Sequence, residues 1–241
     1  MDEKRVEILD EIYDKKGTYL DQLYDPIANK YFAPVLPSSL SFEGVRKMHK
    51  EGYSGSGVRV AIIDTGLMLN HPWIKRSLEE SVDFTGEGSE DLNGHGTMVT
   101  LLMLLTAPSS RLLNVKTMDA KGRGTEEDLI KGIQWSVKKG VKLINLSGGV
   151  YHKKWGLLEC RGNCKICQAA ESAAKSGVIV VAAAGNEPGK TYCPAKLGII
   201  NKDSGVISVG AYDFETGKKS SYSGVGNVSG PVGRYRLVPV E

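Results

Sequence analysis

The stretch Val58-Arg59-Val60-Ala61-Ile62-Ile63-Asp64-Thr65-Gly66 decides the fold. Its apolar residues run without alternation, as in a strand buried on both faces, and the run ends on a carboxylate followed by a glycine turn. Similar short apolar runs occupy 111–118, 142–146, 178–183 and 206–211. Between them lie helical patterns over 97–105, over 126–139 with Thr125 as N-cap, and over 166–175 with Gly177 to close it. Fully apolar strands separated by helices predict an α/β domain whose predominantly parallel sheet carries helices on both faces. Such sheets bind ligands at the carboxyl ends of their strands, so chemistry is expected just after Ile63, Leu146 and Ala184.

Outward from this core, 55–241 reads as one α/β domain. Before it, Val6, Leu9, Ile12 and Tyr13 recur at helical spacing among charges, and Gly17 can end that helix. We read 1–30 as an amphipathic arm, either packed on the domain or regulatory, and 31–54 as linker and lead-in with a short helix over 44–50. A chain of 241 residues with 41% hydrophobic content can bury one large core, so disorder is not expected. Its 31 basic and 28 acidic residues leave a net charge of +3 without basic clustering, which excludes nucleic acid as a partner. The longest apolar runs, 99–105 and 178–184, are too short to span a bilayer, and Met1-Asp2-Glu3-Lys4-Arg5 opens no signal-like apolar region. A soluble, cytoplasmic protein without a membrane partner is expected.

Two motifs stand where the sheet rule puts chemistry, and a third, around His95, lies between them in the chain. In Ile62-Ile63-Asp64-Thr65-Gly66 the carboxylate can serve catalysis or cap the next turn, and Asp-Thr-Gly also occurs in aspartic peptidases. In Asn93-Gly94-His95-Gly96-Thr97, two glycines leave an imidazole uncovered before an apolar helix, as if another chain must approach it closely. In Ala182-Ala183-Ala184-Gly185-Asn186, a strand of small residues delivers an amide that can point at a developing oxyanion, or an Asn that tolerates a left-handed turn.

In the order Asp64, His95, Asn186, these motifs resemble the subtilisin-like serine peptidases. The likeness extends to the strand and turn over 114–125, to Ile144-Asn145-Leu146-Ser147-Gly148-Gly149, and to the later segments 205–211 and 220–223. It implies an Asp-His-Ser triad in which Asp64 orients His95, His95 is general base and acid, and Asn186 belongs to the oxyanion hole. It also implies that Gly122, Arg123 and Gly124 on one side, and Ser147, Gly148 and Gly149 on the other, pair with an extended peptide or protein substrate. Gly148 stands where relatives more often carry a larger apolar residue, which predicts a wider pocket. Catalysis of this kind requires no cofactor.

The family's nucleophile sits in a Gly-Thr-Ser motif. Gly-Thr occurs here at 17–18, 96–97 and 124–125, never followed by serine. The resemblance therefore implies a domain that stops short of its nucleophile, to be completed by a complementary C-terminal fragment, or else an inactive pseudo-peptidase that binds peptides or regulates. An aspartic peptidase built on Asp64 is a further rival, but it leaves His95 without a role.

Cys160, Cys164, Cys167 and Cys193 can form a tetrahedral zinc site, one or two disulfides, or remain free thiols. A metal staple there would lie beside the substrate edge after Gly149. Asp83, Glu87, Glu90 and Asp91 form an acidic loop, read as solvated or as a calcium site. His71 reads as structural, and His49 and His152 as solvent-facing.

Overall fold

A computed structural model describes residues 39–154, 158–213 and 218–224. The arm over 1–30, part of the linker and the segment after 224 lie outside the described residues. In chain order the elements are α1 (Ser39–Lys50), β1 (Arg59–Asp64), α2 (Pro72–Ser77), β2 (Leu78–Asp83), α3 (His95–Thr106), β3 (Arg111–Lys116), α4 (Glu126–Lys138) and β4 (Leu143–Leu146). After the two-residue strands β5 (Lys153–Lys154) and β6 (Leu158–Glu159) come α5 (Lys165–Lys175), β7 (Ile179–Ala183), α6 (Ala195–Ile200), β8 (Val206–Val209), and the small pair β9 (Tyr212–Asp213) and β10 (Lys218–Lys219).

The six main strands form one all-parallel sheet in the order β2-β3-β1-β4-β7-β8. Because successive side chains in a strand point to opposite faces, β1 feeds two cores at once. Ala61 and Ile63 pack with Leu129 and Ile133 of α4 and with Ile166, Ala170 and Ala173 of α5. Val60 and Ile62 pack on the other side with Ile74 of α2 and with Leu101 and Leu104 of α3. The expected parallel sheet with helices on both faces is what the chain adopts. From β3 the chain crosses α4 to the far side of β1, so the order reverses at β1, where open α/β sheets place their crevices.

Two helices, α2 and α4, begin at a residue whose side chain caps them. Thr125 caps α4 by accepting from the Asp128 N–H at 3.1 Å, and Glu126, Glu127 and Asp128 in its first turn complement the helix dipole. His71 caps α2 through Nδ1, which accepts from the Trp73 N–H at 3.3 Å, with Pro72 at the first helical position. Sequence periodicity missed β2, whose Leu-Glu-Glu-Ser-Val-Asp carries three acids. This strand lies at the sheet edge, where charge is tolerated, and it is held by its ladder to β3 and by Glu79 bridging Arg59 (2.7 Å) and Arg111 (3.2 Å). The helix expected over 44–50 begins five residues earlier, and His49 is buried rather than solvent-facing, with Nε2 3.0 Å from the Thr106 carbonyl.

Helical cover of the second face stops part-way across the sheet among the described residues. Along the register row Ile62, Asn145, Val181 and Ile207, exposure rises from 0% at Ile62 to 50% at Ile207, and Ile179 on the same face is 49% exposed. Replacing Ile62 by Ala should destabilise the chain by about 2–5 kcal/mol, whereas Ile207→Ser should shift stability by less than about 0.5 kcal/mol. Urea denaturation of the two variants measures the contrast.

Candidate active site

Asp64 ends β1, and its backbone carbonyl accepts from the Thr117 and Met118 N–H groups at 2.9 and 3.2 Å, which fixes the strand end against β3. Its side chain is 1% exposed. Oδ1 accepts from the Thr65 N–H at 2.8 Å and lies 2.7 Å from His95 Nδ1, while Oδ2 is buried without a hydrogen-bond partner among the described residues. His95 is the first residue of α3, and 31% of its side chain remains exposed, toward a cleft of about 360 Å³ that it lines together with Asn186. The carboxylate and imidazole that the sequence leaves 31 positions apart are thus hydrogen-bonded, a geometry in which Asp64 serves an imidazole rather than a second carboxylate.

The device that brings them together is Asp91. Its carboxylate, 1% exposed, accepts five donors: the Thr65 hydroxyl (2.9 Å), the Asn93 and Gly94 N–H groups (3.0 and 2.8 Å), and the Thr97 N–H and hydroxyl (2.9 and 2.6 Å). One buried anion therefore ties the turn after Asp64 to the N-terminus of α3, whose own N-cap, Gly94 at φ 99°, has no side chain to offer. Thr65 relays the link by accepting from the Gly96 N–H at 2.9 Å. Gly96 is required by this approach, since a Cβ there would stand 2.2 Å from the Gly66 carbonyl oxygen. The glycine serves the close approach of two loops of the same chain, not of another chain as the sequence implied.

Asp91 was read as one member of an acidic loop, solvated or binding calcium; it is buried rather than solvated. Asp83 accepts from Thr85 and Gly88, Glu87 from the Ala120 N–H with Lys116 Nζ 3.4 Å away, and Glu90 from the Leu69 N–H. The loop's carboxylates are engaged by the protein's own donors. A sequence signal for Asp91 existed: an acid just ahead of a glycine-opened helix is positioned to satisfy its first N–H groups.

The other two predicted positions converge on the same cleft, because β1, β4 and β7 are neighbours and end on one rim. Ser147, Gly148 and Gly149 follow β4 and line it, as does Gly122 from the turn after β3. Arg123 and Gly124 are not among the lining residues; Arg123 uses its N–H and carbonyl within the turn, on Asp119 Oδ1 (2.9 Å) and the Asp119 N–H (2.8 Å). Nor does Gly148 widen the pocket. The space its side chain would take is filled by Met118, whose Cε lies 2.7 Å from the ideal Cβ position. Past β7, Gly185 at φ 98° turns the chain so that Asn186 is exposed at the cleft, and the Tyr192 ring packs 2.7 Å from where a Gly185 Cβ would be. Tyr192 donates its hydroxyl to Glu187, a hydrogen bond that pushes its pKa up to about 12. It is a wall residue that sequence reading missed.

A family model described as the subtilase family matches residues 55–237. The chain belongs to the subtilase family. Subtilisin NAT of Bacillus subtilis subsp. natto is 32% identical over 238 residues, spanning 94% of this chain and 58% of that protein. Subtilisin DY of Bacillus licheniformis is 33% identical over 204 residues, 80% of this chain and 70% of that protein. Among solved structures, a lanthipeptide protease superposes with a TM-score of 0.60 at 26% identity, covering 75% of this chain and 56% of the other. This subtilase chain thus spans a little over half the length of subtilisin NAT. None of its described helices is long and apolar enough to cross a membrane.

Beside the cleft, the segment after β4 carries the cysteines. All four are free thiols, and the donor atoms that converge within 4.8 Å of one another belong to His152, Cys160, Cys164 and Cys193. Three of the four cysteines expected from the sequence to group are in this set; its fourth member is His152, read from the sequence as solvent-facing, and Cys167 is buried next to them.

Burial on its own would lower the His95 pKa, but the charge and hydrogen bond of Asp64, with Asp91 behind, raise it above 6.5. The neutral ring that can accept a proton therefore prevails only above that raised value, and the ion pair adds stability below pH 6.5 that fades as pH climbs through it. In an NMR titration His95 should titrate above 6.5, and Asp64→Asn should bring its midpoint down. Asp91→Ala, which strands five donors, should cost about 3 kcal/mol or more in urea denaturation.

Proposed function

We propose that Asp64, His95 and Asn186 are three working groups of a subtilisin-like serine endopeptidase whose nucleophilic serine is additional to these 241 residues. The observation that carries the reading is the 2.7 Å contact between Asp64 Oδ1 and His95 Nδ1 at a cleft also lined by Asn186. With Nδ1 engaged by the carboxylate, Nε2 is the ring's free base. It takes the serine proton as Oγ adds to the scissile carbonyl, returns it to the leaving amine, and repeats the cycle with water to release the acyl group. Asn186 donates to the tetrahedral oxyanion, a contribution of about 3–4 kcal/mol in the subtilisin from which that magnitude comes. Gly122 and Ser147 to Gly149 flank an extended peptide and bind its main chain. No cofactor takes part in these steps.

The sheet face at Ile179, Val181 and Ile207, half-exposed among the described residues, supports a complementary segment, because a helix bearing the serine would cover this apolar surface. A second reading, a peptide-binding or regulatory pseudo-peptidase, is favoured by the lack of any Gly-Thr-Ser in the sequence. A chimera that continues this chain with the serine-bearing C-terminal part of subtilisin DY separates the two. It should react with a fluorophosphonate probe, and His95→Ala should abolish labelling and lower peptide hydrolysis on the order of 10⁶-fold, as in a subtilisin. Labelling that persists without His95 would sink the base assignment, and a folded chimera that binds peptide but never labels would favour the second reading.

A further inference from the structure

We propose that His152, Cys160, Cys164 and Cys193 bind one structural zinc ion that fixes the wall of the substrate cleft. Three thiols and an imidazole whose donor atoms all lie within 4.8 Å of one another match the ligand types and the compactness of a tetrahedral zinc site with no open position. Two independent features point to a metal. First, His152 Nδ1 is buried and has no hydrogen-bond partner among the described residues, while its Nε2 lies 3.4 Å from Glu126 Oε2. A buried nitrogen without a proton partner is costly unless something ligates it, and a carboxylate on the far nitrogen is the arrangement that orients metal-binding histidines. Second, Cys164 is the N-cap of the eleven-residue helix α5, where the helix dipole favours a thiolate. Cys167, buried beside them, is not one of the four converging donors.

The site's position gives the ion a purpose. Cys193 pairs with Val150 by two backbone hydrogen bonds, 2.9 and 3.0 Å, and its carbonyl oxygen lies 2.6 Å from where a Gly149 Cβ would be. Gly149 and Tyr192, the immediate neighbours of this ladder, both line the cleft. An ion joining residues 152–164 to Cys193 therefore clamps the two loops that form one side of the substrate channel. The proposal stands whether or not the chain proves catalytic.

Full-length chain purified without chelator should contain about one zinc per molecule. Substituting cobalt(II) should give thiolate-to-metal charge-transfer bands and the intense visible bands of a tetrahedral site. His152→Ala and Cys160→Ser should each lose the metal, Cys167→Ser should retain it, and Glu126→Gln should weaken zinc affinity about 10- to 100-fold in competition with a chromophoric chelator. Zinc removal should also speed amide hydrogen exchange at Val150 and Cys193. The proposal is overturned by unmutated protein that neither contains zinc nor develops cobalt bands, by thiols found oxidised to disulfides on alkylation and mass analysis, or by loss of zinc in Cys167→Ser with retention in His152→Ala.

Discussion

A single buried carboxylate holds the candidate site together. Asp91 gathers donors from the turn after β1 and from the first turn of α3, two segments that no apolar contact could align to hydrogen-bond accuracy. Desolvating a charge is costly, and here five directed donors offset the cost and convert it into geometry. Because α3 starts at His95, fixing its N-terminus fixes the imidazole, and Gly96 allows the helix to come close enough to Asp64 for the hydrogen bond to form. The ring is held in one orientation before any substrate arrives.

The parallel sheet supplies the rest of the arrangement. Reversal of strand order at β1 sets the ends of β1, β4 and β7 side by side, so that Asp64, the glycine segment after Leu146 and Asn186 meet on one rim although more than 100 positions separate the first from the last. The same sheet is unevenly covered. α2 and α3 bury β1 on one face, and the row running toward Ile207 emerges into solvent among the described residues.

Across the cleft, backbone and polar contacts add to core packing. Among its described residues, the segment from Gly149 to Cys164 holds a two-stranded antiparallel pair, and an isolated bridge between Val150 and Cys193 joins it to the Tyr192-Cys193 loop. Glu126 at the start of α4 reaches both the Ile166 N–H and His152, so the thiol and imidazole cluster is also tied to the helix packed under the sheet. The wall formed by Gly149 and Tyr192 thus combines polar contacts with apolar packing, since Cys193 belongs to the main core and Val150 packs against it.

Strand runs, the cap at Thr125 and the motifs around Asp64, His95 and Asn186 were legible in the linear sequence, because hydrophobic periodicity, a capping side chain and a strand-end carboxylate are local properties of neighbouring residues. The edge strand β2 was hidden, since its ladder with β3 is long-range and its acids mask any periodicity. Only the tertiary structure decided what Asp91, His152 and Met118 do. A carboxylate in an acidic stretch, a histidine in a polar loop and a methionine after a strand acquire their roles from partners 26, 8 and 30 positions away, for Thr65, Cys160 and Gly148 respectively. Local pattern fixes which backbone conformation a segment prefers; which side chains then meet is set by how the layers stack, a property that no single segment contains.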